Sequence, residues 1–306
     1  MCTVAVMLEQ AHGLTDAALE AIADLERRVL ATDGGRLKLE WATLRTPPTD
    51  DVRAMLWSEH DRLLGFLGIY SFGWPTLELT GMVDPQHRRR GIGRSLLETA
   101  LPLCRARGCE RLLLVVPRVS LAGRELAASL GATHDHSEHA LTLSKRPADA
   151  PVDPALQLRE ATTADVTTLS RLFLDGFGEA HSGGDRLLVD HRTRTLMIDR
   201  GGETIGTLVI TRDGACGRVY GFVVGSEWRG RGVGREALQR ACRELFDAGM
   251  GRVELEVEVA NDRALGLYTS VGFEPVATED YYALRLDAAA VPSPVSASIT
   301  DSSRPR

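Results

Sequence analysis

Arg229-Gly230-Arg231-Gly232-Val233-Gly234-Arg235 and, 141 residues earlier, Arg88-Arg89-Arg90-Gly91-Ile92-Gly93-Arg94 are two versions of one phrase. Each follows an apolar run, Leu77 to Val83 in the first and Arg218 to Val224 in the second. Each opens a helical pattern, through Leu96, Leu97 and Ala100 or through Ala237, Leu238 and Ala241. Both glycine pairs therefore sit in a strand-to-helix turn. Two copies at so long a spacing indicate a duplicated domain rather than a short solenoid unit.

Such a turn has a definite chemistry. The first amides of a helix lack intrahelical partners and point outward, and the helix dipole favours an anion there. Glycine removes the Cβ that would keep an anion at a distance, and neighbouring arginines add positive charge. The expected ligand group is a diphosphate. Strands and helices alternate through each copy, so the expected class is α/β (or α+β), a mixed sheet with helices on both faces and the glycine turn at the carboxyl end of a central strand.

The spacing Arg-x-x-Gly-x-Gly differs from that of a dinucleotide-binding fingerprint, and no shared acidic residue follows to hold a ribose. After the second copy comes Asn261, Ala264, Tyr268, Gly272 and Phe273. Together these residues resemble the GCN5-related N-acetyltransferase (GNAT) family, over nearly the whole chain as two tandem domains. The resemblance implies acetyl-CoA as cosubstrate and a central sheet whose strands splay to admit the pantetheine arm. It implies cofactor contacts from Phe222, Val223, Val224, the turn Arg229 to Arg235 and Asn261. In the first copy the corresponding contacts are Met82, Val83, Arg88, Arg89, Arg90, Gly91, Ile92 and Gly93. It also places Tyr268 beside the sulfur as proton donor to the departing thiolate, with direct attack by the amine and no covalent enzyme intermediate.

At the repeat offset Ala127 stands where the second copy has Tyr268, and Ser120 where it has Asn261. The first copy is therefore expected to be degenerate and non-catalytic. A proton acceptor is also needed. Glu254, Glu256 and Glu258 alternate with Leu255, Val257 and Val259, so the three carboxylates share one side of a strand. The resemblance puts that strand's end beside the acceptor, making Glu256 and Glu258 the base candidates. Glu279, Asp280, Tyr281 and Tyr282 form a second polar set, read as edge-strand packing near the acceptor groove. His134, His136 and His139 read as an exposed turn, and no metal site is expected.

Domain boundaries follow composition. Residues 1–146 form the first copy, the proline-rich stretch 147–155 a linker, 156–287 the second copy, and 288–306 a disordered tail. A net charge of −6 gives a nucleic-acid partner no support. Cys2, Cys104, Cys109, Cys216 and Cys242 make no Cys-x-x-Cys pair, and no apolar run is long enough for a membrane span. The reading is a cytoplasmic protein, monomer or homodimer, that acetylates a primary amine of a small molecule. The inactive amino-terminal copy and the residues Pro85 to Gly93 also resemble the mycothiol synthase family, which acetylates the cysteinyl amine of a sugar-linked thiol. An antibiotic or polyamine acceptor is the alternative, because an acidic strand face attracts cations. A non-catalytic acyl-CoA sensor is the competing class.

Overall fold

The computed structural model describes residues 6–72, 76–109, 111–149, 153–178 and 193–285. The first half runs β1 (Val6–Ala11), α1 (Asp16–Asp33), α2 (Trp41–Leu44), β2 (Ala54–Glu59), β3 (Arg62–Ser71), β4 (Thr76–Val83), α3 (Ile92–Ala106), β5 (Arg111–Pro117), α4 (Leu121–Ser129) and β6 (Thr133–Leu143). The second repeats most of that order as β7 (Leu156–Glu160), α5 (Val166–Phe177), β8 (Thr193–Arg200), β9 (Glu203–Asp213), β10 (Cys216–Val224), α6 (Val233–Asp247), β11 (Arg252–Glu258), α7 (Asp262–Val271) and β12 (Glu274–Leu284).

Local chemistry explains the boundaries. The Thr15 hydroxyl accepts from the Ala18 amide and caps α1, and Ser120 does the same for α4 through Gly123. Thr162 and Asp165 close a capping box before α5. Gly201 and Gly202, both at positive φ, form the tight turn between β8 and β9.

The strands form one sheet in the order β1-β2-β3-β4-β5-β12-β6-β11-β10-β9-β8-β7. Its centre departs from a simple tandem. The last strand of each sequence copy lies in the other half: β12 pairs with β5 from Glu279 opposite Pro117 to Leu284 opposite Leu112. In return, β6 pairs with β11 from Leu143 opposite Val253 to Glu138 opposite Glu258. The exchanged strands also pair with each other, so hydrogen bonding is continuous across the molecule. Tyr281 and Tyr282, read as edge packing, therefore occupy a central strand. The three histidines, read as a turn, lie on β6. His134 meets Ser137 and the Tyr282 ring edge, His136 stacks on Tyr281, and His139 pairs with Thr278. The expected tail, 288–306, lies outside the described residues.

Side-chain alternation divides the sheet into two faces. Leu112, Leu114 and Val116 of β5 pack beneath α3 and α4, while Val253, Leu255 and Val257 of β11 pack beneath α6 and α7. On the opposite face Leu113 and Val115 pack with Tyr281, and α1 and α5 bring their own apolar stripes. Glu254, Glu256 and Glu258 also point to that second face, as their spacing requires.

Candidate active site

The second copy opens where a bound chain can enter. Strands β10 and β11 pair only between Cys216–Arg218 and Arg252–Glu254. Beyond them β10 carries a bulge between Tyr220 and Val223, with Gly221 at φ +56°. The first copy differs: β4 and β5 stay paired from Thr76–Thr80 to Arg111–Val115, and β4 has no register shift against β3. Since Arg218 corresponds to Leu77, the first copy remains closed through Thr80, three residues further along. Its cleft, about 490 Å³, lies between the glycine turn and apolar residues including Leu30, Met82 and Leu126.

The turns themselves are near-copies. Gly91 (φ +84°) and Gly232 (φ +82°) stand in the left-handed region at the helix starts, with no side chain capping the amides of α3 or α6. Phe222, Val223 and Val224 lead into the second turn, and Val233 anchors it in the core. The first arginine of each motif ties the turn down. Arg229 donates from Nε to the Val224 carbonyl (2.7 Å) and from Nη2 to Asp175 (2.8 Å). Arg88 donates to the Val83 carbonyl (3.2 Å) and through both Nη atoms to Asp33 (2.8 and 2.7 Å). Each guanidinium thus has a carboxylate partner within the protein, which it would share with any bound anion. Arg235 reaches Ser270, and Arg90 is paired with Glu59, whereas Arg231 lies over the Trp228 ring. Arg89 holds φ +63°, where its counterpart is Gly230 at φ +77°. Asn261 likewise acts locally, because its side-chain oxygen accepts from the Ala264 amide (3.0 Å) and caps α7.

Tyr268 projects from α7 between Phe222 and Phe273, 8 % exposed. Burial pushes its pKa up to about 12, so it holds its proton at neutral pH and can offer that O–H as a hydrogen bond to a departing thiolate. The ring lines a cavity of about 680 Å³ that also takes in Gly221, Phe222, Glu254 and Glu256, and so runs through the opening between β10 and β11. Across the sheet this cavity is walled by the first half, through Arg36, Lys38, Glu40, Phe72, Glu78 and Glu138.

That wall changes the reading of the acidic strand. The segment joining α1 to α2 crosses to the second half. There Arg36 donates to Glu256, and Lys38 Nζ lies 2.9 Å from the same carboxylate. The two cations hold Glu256 down to a pKa of about 2 despite the opposing cost of burial. Paired with two cations, Glu256 is placed as a counter-ion, which counts against its reading as the base. Glu254 is bound by Arg252, and Arg218 by Glu40 (2.7 Å). Glu258 is exposed at the end of β11 and does not line the cavity.

A second carboxylate near Arg36 shifts the other way, although it does not line the cavity. Glu279 is 1 % exposed on β12, and neither of its buried oxygens has a hydrogen-bond partner among the described residues. Arg36 stands 3.7 Å away and stabilises its charge only in part. Desolvation outweighs that help and raises Glu279 to about 7. Arg36, Lys38, Glu78, Glu138 and Arg218 were not visible as site residues from sequence. The one available signal was that Lys38 is one of only two lysines, with Lys145, among 36 Lys and Arg.

The acetyltransferase (GNAT) family model matches residues 18–132 and 164–273, and the chain belongs to that family. It is an acetyl-CoA-dependent acyltransferase carrying two copies of the family's unit. Two curated relatives are named mycothiol acetyltransferase. The one from Thermobispora bispora is 29% identical over 280 residues, 83% of this chain and 92% of the relative. The one from Thermobifida fusca is 31% identical over 229 residues, 63% of this chain and 69% of the relative. Among solved structures, a GCN5-related N-acetyltransferase from Sphaerobacter thermophilus aligns with TM-score 0.75 at 18% identity, covering 92% of this chain and 96% of that one. A tandem GNAT protein from the clavulanic acid biosynthesis pathway aligns with TM-score 0.67 at 18% identity, covering 94% and 100%. Those two likenesses show the fold. Among the described residues no helix is long and apolar enough to cross a membrane.

Proposed function

We propose that the second copy transfers the acetyl group of acetyl-CoA to a primary amine of a small molecule, by direct attack in the cavity that Tyr268 shares with the inter-half wall. The observation that carries this reading is that one cavity joins the bulged opening of β10, Tyr268 and the charged face of β11. The cradle suits the cosubstrate: uncapped amides at the start of α6 face a diphosphate, and the unpaired edge of β10 offers backbone groups to the pantetheine amides. Acetyl-CoA supplies the thioester. The amine nitrogen forms a bond to the carbonyl carbon as the carbon–sulfur bond breaks, and the Tyr268 O–H donates a hydrogen bond to the departing sulfur. The backbone beyond the bulge, near Val224, orients the carbonyl oxygen. The proton lost by the amine passes to water in the cavity.

The first copy we read as non-catalytic, because Ala127 replaces the tyrosine and β4 stays closed on β5. For the acceptor, the names of the relatives favour a mycothiol-type amine. Charge favours it too over a polycationic antibiotic, since Arg36, Lys38, Arg218 and Arg252 neutralise the acidic face that would have drawn cations. The test is product formation, followed by mass spectrometry, from acetyl-CoA with a panel containing the cysteinyl precursor of mycothiol, an aminoglycoside and simple alkylamines. Tyr268→Phe is expected to lower kcat about 10²-fold with little change in KM for acetyl-CoA. Unchanged turnover in that variant, or acetyl-CoA binding with no amine acetylated, would overturn the assignment.

A further inference from the structure

Lys38 is placed where an amine would be bound. Its Nζ lies 2.9 Å from Glu256, 3.2 Å from Glu78, 3.7 Å from Glu138 and 2.7 Å from the Tyr281 hydroxyl. The rings of Tyr281 and Phe72 stand 5.2 and 5.6 Å away. Three carboxylates from β11, β4 and β6, a hydroxyl and two aromatic faces around one ammonium make up a recognition site for an alkylammonium ion. The side chain is 8% exposed, and the site opens on the cavity that holds Tyr268. A chain that uses arginine for nearly every other cation keeps a lysine here. An ammonium is a compact point charge that three converging carboxylates can share, whereas a planar guanidinium pairs with them edge-on.

We propose that Lys38 is a built-in occupant of an alkylammonium nest in the acceptor cavity, and that by filling it the residue restricts acceptors to those with a single cationic amine. Without Lys38 the nest would present up to three carboxylates to any second ammonium group on an acceptor, and diamines would gain an anchor that monoamines lack. With Lys38 in place that anchor is taken. The proposal rests on the reading of this cavity as the acceptor site, but its binding half stands apart from turnover.

Two measurements on the full chain test it. Lys38→Ala removes the four-carbon stem and opens a channel into the nest. Its melting temperature is expected to fall, and to recover by several degrees in 50 mM n-butylammonium chloride but not in equal tetramethylammonium or sodium chloride. For turnover, Lys38→Met is compared with wild type at pH 8.5, using cadaverine and pentylamine as acceptors. The ratio of their kcat/KM values is expected to rise at least 10-fold in the variant. Glu78→Gln, which weakens the nest while keeping its occupant, is expected to leave the ratio at the wild-type value. If Lys38→Ala or Lys38→Met is insoluble, the double variant Lys38→Ala/Glu78→Gln, which keeps the channel open with less uncompensated charge, carries both measurements. Equal melting shifts with butylammonium and tetramethylammonium, or an unchanged ratio, overturns the proposal. Acetylation of no amine by wild type would instead strike the functional assignment, while butylammonium rescue would still stand.

Discussion

Glu279 and Glu256 show how neighbours decide what a carboxylate can do. Both are glutamates on the same face of the sheet, both touched by Arg36, yet one is held near 2 and the other near 7. The difference is direct bonding: Arg36 and Lys38 both bond Glu256, whereas Glu279 is dominated by burial, meets Arg36 only at 3.7 Å and feels the Glu256 and Glu138 charges. A raised carboxylate pKa has a definite sign in stability. Between its ordinary 4.5 and about 7 the folded protein holds a proton that the unfolded chain has released, so the residue's destabilising effect grows with pH across that window and is complete above it. Glu279→Gln should therefore gain stability relative to wild type as pH rises, by roughly 3 kcal/mol between pH 4.5 and pH 8. Urea unfolding at the two pH values checks it, and a difference that is flat with pH would refute the assignment.

At the scale of elements, the bulge at Gly221, rather than the near-identical glycine turns, distinguishes an open second copy from a closed first one. Gly232→Val puts a β-branched side chain at φ +82°, where L-residues are strained, and adds methyl groups beside the uncapped amides. KM for acetyl-CoA is expected to rise at least about 10-fold, with the melting temperature lowered by a few degrees. The equivalent change at Gly91 should leave turnover untouched if the first copy is idle, so the pair of variants also separates the two clefts. Much at this scale could be read from sequence: the strand-to-helix turns, the caps at Thr15 and Thr162, and the hairpin at Gly201 and Gly202 all follow from local rules. The bulge could not be read, because Tyr220, Gly221 and Phe222 look like an ordinary strand until the partner β9 imposes its register. Lys38 escaped for a related reason. Its partners come from three strands far apart in sequence, and no local pattern announces a contact of that range.

For the whole molecule the decisive fact is the exchange of β6 and β12. Residues 1–146 and 156–287 were legible as two copies because their turns and helices repeat. Which sheet receives each final strand was not, since Thr133–Leu143 and Glu274–Leu284 have similar patterns and either could pair locally. Expressed alone, each half would end its sheet in an apolar open edge, at β5 or at β11, with its cross-half ion pairs broken. Separate expression is expected to give insoluble or molten halves, and co-expression a soluble complex that binds acetyl-CoA. A protease cut confined to 147–155 should leave both pieces eluting together in gel filtration under native conditions. Two independently folded, freely separating pieces would contradict the exchange.

The interleaved centre also bears on ancestry. A lone ancestral unit built to this plan had no second half in its own chain to accept its final strand. It could lend that strand to a twin and borrow the twin's in return, as swapped dimers do. Fusion of the two genes would then have tethered a pair that was already mutually dependent.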